Sequence, residues 1–533
     1  MGKTDYRNIG ILVAIVLVIY YPLFYTHYFY TDEIVQLWHY RKGSDFAMFL
    51  PQGRYLTDCL FRSLYSAIDT IPQLTWLRIF SLAGWVLCLP VWYTIIAKVS
   101  SKEGLPSMVP FFSVLYLACS HPFSVSVQWA SCIELFIANT SGLIAGYIAY
   151  TQIKYVDRRL NISIRGIILP LLFGLISLFT YQNGFGCFLL PFLLECIARR
   201  RISRTILAAI AIYFLVYGVY FLLFRWQLNI IHAGASDRTG LMTNPLSKLY
   251  FFFAEALPGA FNFTFIVSEN NMFAKIIYAL IFGACLLINF SVISSPRHSP
   301  ASPAQPGFTA SPAQTRSSTS PAPQSPFLRF LDPRLLYTIW IIGAFLLIYL
   351  PSLIVRENYA SNRTLLALDM AVFFWVYTTI LELIKKREQR LIASTAIGVL
   401  FAACCWYNFH QVFIRPAANE YRQLKEYIGS RYTPAISTVE FIRSPEDLVR
   451  RKYGVSSSWD EFGLSSSYFA WVPDPLIRQL VFENTGSRLL ASGLKIVVWP
   501  NRAAYVQARA QAPARNNVLV IDVEDLLLNK NIL

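Results

Sequence analysis

Two carboxylates stand side by side just after the first long apolar stretch of the chain, in the segment YTDEIVQLW at residues 30–38. Asp32 and Glu33 are unusual there because charged residues make up only 14% of the sequence. Adjacent side chains point in different directions, so we expect one carboxylate to take part in chemistry while the other orients it or binds an ion. The alternative is a pair of solvated carboxylates at a helix end.

Three arginines lie in polar segments between apolar stretches. Arg54 follows Gln52-Gly53, while Arg356 and Arg363 belong to the compact segment RENYASNRT. A guanidinium group can donate two parallel hydrogen bonds to a phosphate, which makes these residues candidates for binding one. The alternatives are a solvated loop at Arg356 and Arg363 and, at Arg54, an interfacial residue whose head group reaches water.

A third set of polar residues stands at the ends of apolar stretches. Glu134 follows HPFSVSVQWASCI, and an ionisable group at that depth is a functional candidate unless the helix dipole alone favours it there. Tyr181 and Gln182 lie in SLFTYQNGFG and form an uncharged polar cluster. Such a cluster could bind sugar hydroxyls, or it could form a simple turn before Gly184.

The composition indicates that a lipid bilayer surrounds the elements that position these residues. The chain has 533 residues, of which 55% are hydrophobic, and its mean hydropathy is +0.45. An apolar surplus of this size needs a bilayer to receive it. The net charge of +16 does not point to nucleic acid, because the Lys and Arg residues occur in short runs between apolar segments, as they do where they set membrane orientation.

Apolar stretches of about spanning length predict about eleven transmembrane helices, and hence an all-α polytopic membrane protein. The stretches fall near residues 8–26, 75–97, 108–122, 133–153, 166–181, 185–198, 205–224, 272–292, 334–355, 364–384 and 391–413.

The distribution of basic residues predicts the orientation of these helices. With the N-terminus in the cytoplasm, Lys and Arg concentrate in the connections on the cytoplasmic side, as the positive-inside rule requires. Asp32 and Glu33 then lie outside, in a first loop over residues 27–74, and the C-terminal tail lies outside as well. We therefore predict a multi-pass plasma-membrane protein, with this loop and the tail on the outer side, which in a bacterium is the periplasm.

Two further regions differ from the membrane part, residues 1–414. Residues 294–330 are rich in Pro, Ser and Ala, a composition that cannot bury a core and predicts a disordered cytoplasmic linker. In residues 415–533 charges return, and short apolar runs alternate with helical patterns. This alternation predicts a small periplasmic α/β domain.

The candidate residues, taken in chain order, resemble the motifs of the bacterial and phage O-antigen glucosyltransferases of the Gtr type, which belong to the GT-C superfamily of polytopic membrane glycosyltransferases. The family's acidic pair after the first span occurs here as Asp32-Glu33, and its Gly-Arg as Gly53-Arg54. Its Pro-Phe leading to an acidic residue occurs as Pro122-Phe123 leading to Glu134. Its Tyr-Gln and its Arg before a late span occur as Tyr181-Gln182 and Arg363. The sequence departs from the family pattern at Glu33 and Glu134, where Asp is usual, and at His121, where Asn is usual.

The resemblance implies transfer of a hexose, most often glucose, from a polyprenyl-phosphate donor to a lipid-linked or cell-surface glycan on the periplasmic side. Asp32 would be the general base and Glu33 would assist it. Arg54, Arg363 and Arg356 are then predicted to bind the donor phosphate. Glu134, Tyr181 and Gln182 would line the sugar site. The sequence leaves open whether a divalent cation takes part, and it predicts no other cofactor.

Two other functions remain open at this point. A lipid-linked glycan polymerase or ligase also has many spans and outward-facing arginines. A transporter or flippase would make no bonds, but transporters often carry paired repeats and charges near the bilayer midplane. The candidate charges here are predicted to lie at the outer face, which favours chemistry over transport.

Overall fold

The computed structural model describes residues 2–156, 159–232, 234, 236, 240–268, 271–292, 332–510 and 517–528. The predicted linker, residues 294–330, lies outside the described residues. The described part is mostly helical, and its long apolar helices confirm the prediction of an α-helical membrane protein. Seven helical segments in that part are long and apolar enough to cross a bilayer: Lys3–Phe24, Ile71–Lys102, Ala130–Gln152, Arg204–Ile230, Met272–Ser291, Asn362–Leu383 and Arg387–Arg431.

The first half of the chain forms ten helices and one short hairpin. In chain order these elements are α1 (Lys3–Tyr20), α2 (Asp32–His39), α3 (Tyr55–Tyr65), α4 (Leu74–Lys102), α5 (Val109–Cys119), α6 (His121–Gln128), α7 (Leu135–Gln152), β1 (Ile153–Val156), β2 (Arg159–Ile162), α8 (Arg165–Thr180), α9 (Leu190–Arg199) and α10 (Arg204–Ile230).

The second half adds further helices and a small sheet. The helices are α11 (Pro245–Phe251), α12 (Leu257–Phe261), α13 (Met272–Val292), α14 (Pro333–Ile348), α15 (Leu350–Ile354), α16 (Asn362–Leu383), α17 (Arg387–Tyr407) and α18 (Arg415–Arg431). The C-terminal elements are β3 (Thr438–Ile442), α19 (Leu448–Tyr453), α20 (Pro473–Thr485), α21 (Arg488–Gly493), β4 (Lys495–Trp499), α22 (Arg502–Arg509), β5 (Val518–Asp522) and α23 (Val523–Leu528).

Helix breaks explain why about eleven apolar stretches correspond to seven long helices. The pair α5 and α6 bends by 47° at Ser120, which caps α6, and would count as an eighth span if it crosses as one unit. The helices α8 and α14 are apolar but shorter. The stretch near 185–198 divides into a 3-10 segment, Gln182–Leu189, and the short α9. Apolar length alone does not reveal such breaks, because a broken segment can be as apolar as a straight helix.

The ends of several helices meet at one end of the bundle, where the basic residues collect. Glu103 follows α4, accepts hydrogen bonds from Arg199 at the end of α9, and also accepts one from Tyr150 near the end of α7. Nearby in sequence, Arg200 pairs with Glu382 at the end of α16. These contacts join the ends of α4 and α7 to that of α9, and the residue after α9 to the end of α16.

The C-terminal region contains a parallel sheet of three strands in the order β4-β3-β5. The central strand β3 is buried along its whole length. The domain boundary predicted at 415 falls inside one continuous helical segment, because α17 runs into α18 through a π-helical turn, Asn408–Ile414.

The first loop and the C-terminal region share one hydrophobic core. Phe29, Ile34 and Leu37 from the first loop belong to the same buried cluster as Leu424 and Phe441 from the C-terminal region. This shared core holds the two regions together on the side of the molecule where α2 begins.

Candidate active site

Six of the eight residues predicted for the site line one cavity of about 530 Å³. They come from widely separated parts of the chain: Asp32, Arg54, Glu134, Tyr181, Gln182 and Arg363. The cavity therefore gathers a carboxylate from α2, an arginine from the start of α3, a carboxylate from the start of α7 and an arginine from the first turn of α16. Glu33 and Arg356 do not line it.

Arg54 is held by the polar pair at the end of α8. Its Nε donates to Oε1 of Gln182 at 3.2 Å, and its guanidinium lies 4.3 Å from the centre of the Tyr181 ring. The amide of Gln182 also donates to the carbonyl of Gln52 and to the hydroxyl of Tyr220. In the part of the chain that the structure describes, no carboxylate forms an ion pair with Arg54, so its charge is available to an anion.

The backbone before Arg54 depends on a glycine. Gly53 has φ +74°, and a Cβ added there would overlap the hydroxyl of Tyr220. Only glycine adopts this left-handed conformation without a steric cost, and only glycine leaves room for the tyrosine. The Gly-Arg motif therefore has a local reason, which is to turn the chain so that Arg54 starts α3 beside Gln182.

Glu134 lies immediately before α7 and is almost completely buried. Its Oε2 atom has no hydrogen-bond partner among the described residues, although Arg54 and Arg363 both lie within electrostatic reach. A buried acceptor without a partner is costly unless a ligand satisfies it. Its place in the cavity wall makes Glu134 a suitable acceptor for a ligand hydroxyl.

Asp32 begins α2, and its Oδ1 accepts a hydrogen bond of 2.9 Å from the indole nitrogen of Trp471. The preceding residue, Thr31, has φ +35°, which is rare for a β-branched residue. Its backbone N–H donates to the hydroxyl of Ser466. The C-terminal region thus contacts both Thr31 and Asp32, the two residues at which α2 begins.

Arg363 lines the cavity but is already paired. Its guanidinium donates to the Tyr359 hydroxyl at 2.9 Å and to Asp460 at 3.2 Å, and it stacks over Trp129. Glu461 is completely buried and accepts hydrogen bonds from the backbone N–H groups of residues 362 and 363. Burial raises the pKa of Glu461 to about 7, and the charge of Arg363 opposes that rise. A phosphate at Arg363 would have to compete with these carboxylates.

Glu33, which was predicted to assist Asp32, has surroundings different from those of Asp32. The side chain of Glu33 is completely buried and forms an ion pair with Arg78, which is equally buried. It also accepts hydrogen bonds from the backbone N–H groups of Tyr30 and Ala130. Glu33 is not among the residues that line the cavity, and these bonds hold the start of α2 in place.

Arg356 is the second predicted residue that the structure places elsewhere. Its side chain is exposed, and its backbone N–H donates to the carbonyl of Gly240 in a short antiparallel contact beside α15. The two arginines of RENYASNRT therefore differ in position, because Arg363 lies in the first turn of α16 and Arg356 lies in the preceding loop.

An apolar wall completes the cavity. One side consists of aromatic residues of α10, and the other consists of aliphatic residues around α15. The α10 side comprises Phe214, Tyr217, Tyr220, Phe221 and Phe224, and the other comprises Leu241, Leu350, Pro351, Ile354 and Val355. A cavity lined by both charged and apolar side chains suits an amphipathic ligand.

The sequence did not single out the residues that the C-terminal region brings to the site. Asp460, Glu461 and Trp471 all contact predicted site residues, yet they lie about a hundred residues or more after Arg363 or Asp32. The adjacent acidic pair in SSSWDEFG is the one signal that could have marked them.

No group of three or more His, Cys, Asp and Glu side chains among the described residues is arranged to hold a metal ion. A cation shared between one carboxylate and a substrate phosphate would need no such group. The participation of a divalent cation remains a prediction.

A scan against protein-family models gives no match for this chain, and a search of curated proteins gives none.

Proposed function

We propose that the protein is an integral-membrane glycosyltransferase. It moves a hexose from a polyprenyl-phosphate donor to a hydroxyl of a lipid-linked or cell-surface glycan, on the periplasmic side of a bacterial inner membrane. The observation that carries the proposal is the cavity that Asp32, Arg54, Glu134, Tyr181, Gln182 and Arg363 line together with apolar residues of α10 and α15. Polyprenyl phosphates carry an anionic head on an apolar chain, which is the polarity that this cavity offers.

The reaction needs a base and an anion-binding group. Asp32 takes the proton of the acceptor hydroxyl, and the hydroxyl oxygen attacks the anomeric carbon. The bond between that carbon and the phosphate oxygen breaks, and polyprenyl phosphate leaves with the electron pair. One displacement inverts the anomeric centre, and the product phosphate needs charge stabilisation more than a proton.

Arg54 is the main phosphate-binding residue in this proposal. It carries no carboxylate partner in the described structure, and Gln182 and Tyr181 hold its guanidinium in place. Arg363 attracts the donor phosphate less strongly than Arg54 does, because the carboxylates of Asp460 and Glu461 lie against its guanidinium. The unpartnered oxygen of Glu134 accepts a hydroxyl of the transferred sugar.

Purified protein in lipid nanodiscs, supplied with a panel of polyprenyl-phosphate sugars and a glycan acceptor, tests the proposal. We expect one donor to be consumed and a product with inverted linkage to form. The Asp32→Asn variant should lose transfer by about a hundredfold or more while it inserts and elutes like the wild type.

The variants Arg54→Ala and Arg363→Ala separate the two arginines. We expect Arg54→Ala to raise the donor KM more than Arg363→Ala does. Turnover by Asp32→Asn at the wild-type rate would remove Asp32 as the base. Movement of a lipid-linked sugar across the membrane without any new glycosidic bond would replace the proposal with a flippase.

A further inference from the structure

Trp471 is an exposed aromatic side chain beside the proposed base. It lies in the turn before α20 and is half exposed. Its Nε1–H donates to Oδ1 of Asp32 at 2.9 Å. Its ring lies 4.9 Å from the ring of Phe469, at an angle of 39°. The indole is therefore held in a defined orientation and still presents surface to solvent.

The loop that carries Trp471 is anchored to α18 and to Arg443. Glu420 of α18 accepts hydrogen bonds from the Ser465 hydroxyl and from the backbone N–H groups of Ser466 and Ser467, each at 2.9 Å. A hydrogen bond from Arg443 to the carbonyl of Tyr468 fixes the next turn. A side chain that follows such a loop is positioned before any ligand arrives, which reduces the cost of binding.

We propose that the indole face of Trp471 binds the pyranose ring of the acceptor glycan. The inference rests on the proposed function, because it takes Asp32 as the base. A hydroxyl that Asp32 deprotonates must come within hydrogen-bond distance of its carboxylate. The indole nitrogen is already within 2.9 Å of that carboxylate, so the ring that bears the hydroxyl has to lie beside the indole.

The chemistry of the two surfaces matches. The face of an indole ring is negative, and one face of a pyranose presents C–H bonds with partial positive charge. Trp is also the residue that most often dominates the energy of a binding surface. Trp471 contacts Asp32 but does not line the cavity that holds Arg54 and Glu134, so an acceptor on the indole would reach Asp32 from beyond the donor site.

We call the indole face of Trp471 the acceptor platform, and the kinetics of Trp471 variants test it. We expect Trp471→Leu to raise the acceptor KM by about tenfold or more, the effect of losing one strong aromatic contact, while the donor KM stays close to that of the wild type. Trp471→Phe keeps a flat aromatic face but cannot donate to Asp32. It should keep an acceptor KM near the wild-type value and lower kcat instead.

Trp76→Ala serves as the matched control. Trp76 is a tryptophan of α4 that is more exposed than Trp471. Neither side chain lines the cavity, but Trp471 is the one that donates to Asp32, so both KM values should remain unchanged in the Trp76 variant. If Trp471 only orients Asp32, Phe and Leu variants will lose kcat equally with an unaltered acceptor KM, and the platform is excluded.

The same experiment separates this inference from the proposed function. Wild-type protein that consumes no polyprenyl-phosphate sugar overturns the proposed function. Wild-type protein that transfers sugar, together with a Trp471→Leu variant whose acceptor KM is unchanged, overturns the acceptor platform alone. Thermal unfolding of each variant in detergent identifies any loss of activity that comes from misfolding.

Discussion

Asp32 and Glu33 are neighbours in the chain, but their surroundings separate their roles. Asp32 lines the cavity, whereas Glu33 is buried beside Arg78 and two backbone N–H groups. A buried ion pair contributes little net stability, but loss of one partner leaves an uncompensated charge and is strongly destabilising. The acidic pair therefore joins one residue proposed for chemistry to one that maintains the fold.

The two residues should respond differently to neutralisation. Glu33→Gln removes the counter-charge of Arg78 and is expected to cost about 3–5 kcal/mol of stability, which thermal unfolding in detergent would detect. Asp32→Asn should leave the unfolding temperature close to that of the wild type. The double variant Glu33→Gln/Arg78→Met removes both charges while the amide oxygen still accepts from the backbone, so it should recover most of the loss. A double variant as unstable as Glu33→Gln would contradict the ion-pair explanation.

The elements of the membrane part position the site through their ends. Arg54, Glu134 and Arg363 all lie at or next to the first residue of a helix, and Tyr181 and Gln182 follow the last residue of α8. Side chains at helix ends are close to the headgroup region when the helix spans a bilayer. The convergence of these ends, more than any single helix, brings the charged residues into one cavity.

Two glycines with positive φ test how the turn before α3 acts. Gly53→Ala places a methyl group against Tyr220 and Phe224, and the same change at Gly43, φ +79°, meets no atom within 4 Å. Both variants should carry a backbone strain of about 1–2 kcal/mol. Only Gly53→Ala should displace Arg54 and raise the donor KM, which steady-state kinetics would measure. Equal donor KM values in the two variants would mean that the close approach to Tyr220 does not set the position of Arg54.

At the scale of the whole molecule, the C-terminal region is part of the site. Glu461 accepts from the first N–H groups of α16, Asp460 pairs with Arg363, and Trp471 holds Asp32. The C-terminal region also shares a hydrophobic core with the first loop. The cavity therefore depends on residues from both ends of the chain.

Two deletions follow from this dependence. Removal of residues 432–533 exposes the apolar residues of the first loop and leaves Arg363 without its carboxylates. We expect this variant to aggregate or unfold during size-exclusion chromatography in detergent and to lack transfer.

Removal of residues 298–325, whose Pro/Ser/Ala-rich sequence cannot bury a core, should leave transfer intact. A truncated chain that transfers sugar, or an inactive deletion of 298–325, would overturn the respective expectation.

The sequence by itself determined the membrane class, since an apolar surplus and the spacing of apolar stretches depend only on composition and order. It also identified six residues that line the cavity. Charged residues are scarce in such a chain, so the four of these six that carry a charge were conspicuous. Only the tertiary structure separated Asp32 from Glu33 and Arg363 from Arg356, since adjacent or nearby residues share composition but differ in direction and burial. The contacts from Asp460, Glu461 and Trp471 also required the structure, because they join segments that chain order leaves far apart. Which of the scarce polar groups contact one another depends on their distances in space, and a local sequence pattern does not encode those distances.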